Sequence, residues 1–93
     1  VVVVIRAKDQ DDAIRIANNS SYGLDGAVFT QDPKLAYRVA RRIRTGTIGH
    51  NLHRMDFGVS FGGFKQSGIG REGGQDGLRS FLESKAIMLQ PHA

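Results

Sequence analysis

Residues 61 to 74 read FGGFKQSGIGREGG, and within them Gly68-Ile69-Gly70-Arg71-Glu72-Gly73 spells G-x-G-x-x-G. In a dinucleotide-binding turn this pattern follows a buried strand, opens a long helix and meets an acidic residue about 20 positions on. Here Gly62-Gly63-Phe64-Lys65-Gln66-Ser67 precedes it, which is no strand pattern, and Met88 and Leu89 stand where the carboxylate would be needed. The match is therefore read as accidental. So much glycine suits a rigid loop whose backbone approaches another surface closely, and Phe57, Phe61 and Phe64 interleave with it as wall-forming or core rings.

Upstream of that loop the pattern is α/β. Val1 to Arg6 is apolar and β-branched, as in a strand covered on both faces. Asp9 with Asp12 makes a helix start, Ala13, Ile16 and Ala17 recur at helical spacing, and Asn18-Asn19-Ser20-Ser21 ends the run. Gly26 to Thr30 reads as a second strand. Asp32-Pro33 opens a second helix with the apolar stripe Leu35, Ala36, Val39, Ala40 and Ile43, and Gly46 is its expected stop. Thr47 to Asn51 is a third strand. The order β-α-β-α-β predicts a parallel sheet with right-handed crossovers, followed by the glycine loop, a short helix over 76–83 and a C-terminal strand over 86–89.

The chain has 93 residues and no Cys, with 13 Lys and Arg against 9 Asp and Glu, a net charge of +4. Disulfides, thiolate metal sites and a cysteine nucleophile are excluded within it. The excess charge concentrates at Arg38, Arg41, Arg42 and Arg44 without interleaved stacking aromatics, so no nucleic-acid partner is expected and a solvated or subunit-facing helix surface is preferred. The apolar start is too short to span a bilayer, so no membrane partner is expected, and a reducing cytoplasmic compartment is the default. The chain begins inside an apolar run rather than with Met, so further sequence is expected before it. His50, His53 and Asp56 are the residues from which a metal site might be drawn, but nothing orders them and no metal is expected. Ser67 beside Lys65 has no identifiable base or oxyanion arrangement and reads as a turn residue.

YGLDGAVFT (Tyr22 to Thr30), GTIGHN (Gly46 to Asn51) and FGGFKQSGIGREGG together, in that order and spacing, resemble the C-terminal part of the NAD(P)-dependent aldehyde dehydrogenase superfamily, over about Val4 to Leu89. The resemblance implies an enzyme that attacks an aldehyde with a cysteine thiolate, passes hydride to a nicotinamide and hydrolyses the thioester with a glutamate base. It further implies that residues 1–84 are the end of the catalytic domain and 85–93 a strand of the oligomerisation segment. Phe61 and Phe57 are then expected beside the aldehyde tunnel, and Glu72 in a supporting proton-relay role. Arg71, Glu83, Lys85 and Ile87 are expected at a homo-oligomer interface formed through edge strands. No catalytic or cofactor-binding residue is expected among these 93, so NAD or NADP would bind the parent enzyme and not this chain alone, which is expected to be inactive. Ser60 replaces the usual proline before FGG and Gly49-His50 a usual bulky apolar pair, which alters the expected tunnel shape. The competing expectation is a stand-alone interaction module derived from the same fold.

Overall fold

The computed structural model describes residues 1–92. Helix α1 spans Gln10–Asn18, strand β1 Tyr22–Gly23, β2 Asp25–Val28, helix α2 Pro33–Ala40, β3 Thr47–His50, β4 Phe64–Lys65 and helix α3 Gly74–Arg79. The helix starts follow local chemistry. The Asp9 carboxylate accepts from the Asp12 N–H at 2.8 Å, and that of Asp32 from the Lys34 N–H at 2.9 Å with Pro33 entering the first turn. Asp12 returns the favour by accepting from the Lys8 N–H and from Arg15, and these two contacts, in that order, hold its carboxyl below the ordinary Asp value. Their contribution is present above that ordinary value and is lost as pH falls through the lowered one.

Strands β2 and β3 pair in parallel, Asp25 opposite Thr47 through Val28 opposite His50, with α2 as the connection. Strands β1 and β4 form a separate antiparallel pair, Tyr22 opposite Lys65 and Gly23 opposite Phe64. A further antiparallel bridge joins Phe61 to Glu72. Among the described residues Ile14 and Ala36 are the buried apolar side chains, and an open apolar groove runs between α1, β2 and α2, lined by Ile14, Val28, Leu35, Val39 and Ile48 among others.

Several expectations are corrected. Val1 to Arg6 forms no strand and Val1 to Ile5 are exposed; an extended apolar run becomes a strand only beside a neighbour that takes up its N–H and C=O groups, and no described residue does so. For the same reason residues 86–89 are unpaired, with Ile87, Met88 and Leu89 exposed. The expected three-strand parallel sheet is thus a two-strand one. The last helix begins earlier and ends earlier than expected, at Gly74 and Arg79, and α2 stops at Ala40, short of Gly46. Of the expected terminal segment 85–93, Ala93 lies outside the described residues. The radius of gyration is 18.7 Å, against about 12 Å for a compact chain of this length. The apolar termini therefore extend away from the paired strands instead of folding onto them.

Candidate substrate wall

The glycine loop is built on backbone contacts. Phe61 and Glu72 exchange N–H···O bonds of 2.7 and 2.8 Å, and the Arg71 guanidinium donates to the Gly63 and Gly70 carbonyls at 2.9 and 2.7 Å. Arg44 and Arg71 both lie over the Phe64 ring, 4.7 and 5.6 Å from its centroid. Lys65, in the left-handed region at φ 55°, donates its ammonium to the Asn18 and Ser20 carbonyls at 2.9 Å each. The Ser67 hydroxyl accepts from the Gly23 N–H at 2.8 Å, so it is a turn-locking residue here.

This geometry does not suit a nicotinamide pyrophosphate. A dinucleotide turn puts a long helix directly after its first glycines, whereas α3 starts only at Gly74, has six residues, and follows a two-residue antiparallel strand.

Phe57, Phe61 and Glu72 come together around a cavity of 230 Å³, completed by Thr47, His53, Arg54, Met55, Val59 and Ser60 among others. The wall from Met55 to Phe61 is mainly apolar and aromatic, and Glu72 adds a carboxylate held in place through its backbone bridge to Phe61. Arg71 is engaged within its own loop. Glu83, Lys85 and Ile87 lie in the exposed segment after α3. The three candidate metal ligands diverge: His50 meets the Thr30 carbonyl at 2.9 Å, His53 contacts Asp25, and Asp56 accepts from the Gly58 N–H. The basic cluster is partly absorbed, with Arg41 over Tyr37, Arg42 bonded to Asp11 at 2.7 Å and Arg44 over Phe64.

Sequence reading missed two asparagines that tie the motifs together. Asn51, also at φ 55°, brackets Thr30, its Nδ2 donating to the Thr30 carbonyl at 2.8 Å and its Oδ1 accepting from the Thr30 N–H at 2.9 Å. Asn18 does the same for the turn after α2, donating to the Arg42 carbonyl at 2.8 Å and accepting from the Arg44 N–H at 2.7 Å. An Asn at the end of an element was the available signal, but the partners lie more than 20 residues away in sequence.

The profile of the aldehyde dehydrogenase family matches residues 1–87. The chain belongs to the aldehyde dehydrogenase family. It is 50% identical over 88 residues to aldehyde dehydrogenase [NAD(P)+] 1 of Saccharomyces cerevisiae, covering 94% of this chain and 17% of that protein. It is 44% identical to a mitochondrial benzaldehyde dehydrogenase of Antirrhinum majus over 95% of this chain and 17% of that one. Among solved structures, an aldehyde dehydrogenase of Mycobacterium tuberculosis complexed with NAD+ superimposes with a TM-score of 0.86 at 46% identity, covering 88% of this chain and 17% of that one. This aldehyde dehydrogenase chain therefore spans about a sixth of the length of the relatives it matches.

Proposed function

We propose that this chain is the C-terminal part of an NAD(P)-dependent aldehyde dehydrogenase that converts an aldehyde to a carboxylic acid, and that its own contribution is a wall of the aldehyde-binding cavity. The observation that carries this reading is the convergence of Phe57, Phe61, Met55 and Glu72 on one 230 Å³ cavity in a chain of this family. In the parent enzyme the thiolate, the general base and the NAD or NADP site come from other segments. Phe57 and Phe61 exclude water and hold the apolar part of the aldehyde, and Glu72 assists proton movement behind the reacting centre. The unpaired runs 1–6 and 85–90 pair with neighbouring strands, the second across a homo-oligomer interface with Arg71 and Glu83 beside it.

The test is a graft. Placed in the S. cerevisiae enzyme in exchange for the matching segment, this chain is expected to restore aldehyde-dependent reduction of NAD+ or NADP+. A soluble, folded graft without that activity overturns the reading. In the active graft, Phe61→Ala is expected to change the kcat/KM ratio between long and short aldehydes by the equivalent of about 1–3 kcal/mol, the range for losing apolar contact in a specificity pocket. An unchanged ratio removes Phe61 from the wall.

A further inference from the structure

The segment that leaves β3 does not continue outward but folds back along the strand. A Cβ added at Gly49 would sit 1.9 Å from the Leu52 carbonyl oxygen, so Leu52 lies directly on the backbone of β3. Asn51 makes the reversal, with a left-handed backbone and its side chain bracketing Thr30. The His53 Cα lies 3.7 Å from where a Gly49 Cβ would stand, and from there its side chain reaches toward the opposite end of the strand pair. There the His53 imidazole Nδ1 contacts the Asp25 carboxylate, and Asp25 is the register partner of Thr47 at the start of β3. The other Asp25 oxygen is fixed by the Gly26 N–H at 2.8 Å, so this carboxylate is oriented before His53 reaches it. The residues that follow, Arg54 to Phe57, line the cavity.

We propose that Asp25 and His53 form a positioning pair that pins the fold-back segment 52–57 against β3 and so sets how far Met55 and Phe57 project into the cavity, making the pair a determinant of aldehyde size selection. This rests on the reading of the cavity as the aldehyde wall. Asp25 does not line the cavity, so its effect must pass through His53 and the segment that His53 anchors. Both side chains are partly solvated, at 27% and 56% exposure, and a pair of that kind carries an effect of at most about fivefold.

The experiment uses the active graft, with Asp25→Ala, His53→Ala, the double variant and Asp25→Asn, whose Oδ1 still accepts from the Gly26 N–H while its Nδ2 can donate to a neutral His53 Nδ1. Each single alanine variant is expected to shift the kcat/KM ratio of a bulky over a small aldehyde by about three- to fivefold, carried mainly by KM. The double variant should go no further than either single one, and Asp25→Asn should recover most of the ratio. In parallel, amide hydrogen exchange at 52–60 should accelerate in both single variants. Unchanged exchange overturns the pin. Accelerated exchange with a ratio moved by less than about 1.5-fold overturns its role in selection, as does additivity in the double variant. A folded graft that oxidises no aldehyde refutes the proposed function instead, and the exchange measurement then decides whether the pin itself exists.

Discussion

Purified alone and mixed with an aldehyde and NAD+ or NADP+, the 93-residue chain is expected to produce no reduced nicotinamide above the rate without protein. Enzymatic acceleration of about a millionfold or more has to come from groups positioned at the reacting atoms, and the family's chemistry starts from a thiolate. The sequence contains no Cys. At the cavity itself the Ser60 hydroxyl donates to the Asp76 carboxylate and His53 contacts Asp25, while Ser67 and Lys65 lie off it, bonded to the Gly23 N–H and to two carbonyls. Without an activated nucleophile no hemiacetal-type adduct forms, so no hydride is released. The glycine loop cannot rescue the reaction by binding the cofactor, because its helix is short and begins after the third glycine of the motif. Progress curves of NADH absorbance over a panel of aldehydes check this. Turnover that co-purifies with the chain and disappears with Phe61→Ala would overturn it.

What the sequence made legible were features whose causes are local. Asp9 and Asp32 cap helices within three residues of themselves, Pro33 fits a first turn, and the runs around Ala27 and Ile48 become strands that find each other across one helix. The three glycine-containing motifs identified the family. Illegible were the features whose causes are distant. Val1 to Arg6 announces a need for burial but not the neighbour that would supply it. The two-residue pair Tyr22–Gly23 with Phe64–Lys65 is too short to leave a periodic signal, yet it fastens the glycine loop to the rest of the chain. Of the residues that line the cavity, Phe57, Phe61 and Glu72 carried a family resemblance, whereas Met55, Val59 and His53 reach it because of the fold-back after Asn51. That reversal depends on contacts with Thr30 and Asp25, and no local pattern encodes them.

Gly46→Ala is expected to damage folding of the graft severely. A Cβ at position 46 would lie 1.5 Å from the Gly62 carbonyl oxygen and 2.7 Å from its carbon. The obstruction is the Gly62–Gly63 backbone, so no side chain can swing aside to relieve it. Gly46 also donates its N–H to the Gly23 carbonyl at 3.0 Å, and retreat from Gly62 would pull on the β1–β4 pair that anchors the loop. Overpacking of this kind costs about 1–3 kcal/mol, and more where the neighbour cannot move. Gly26→Ala is the matched control: the nearest neighbours of its added methyl are the Ile48, Ile43 and Thr45 side chains, at an ordinary 3.7 to 3.8 Å. At a site with ordinary backbone geometry, replacing glycine by alanine restricts the unfolded chain and stabilises by a few tenths to about 1 kcal/mol. The midpoint of thermal inactivation should therefore fall sharply for Gly46→Ala, with loss of soluble protein, and hold or rise for Gly26→Ala. Equal midpoints for the two variants would mean that the FGG loop does not rest on Gly46 in the folded enzyme. The glycines of residues 61–74 would then need a cause other than close backbone approach.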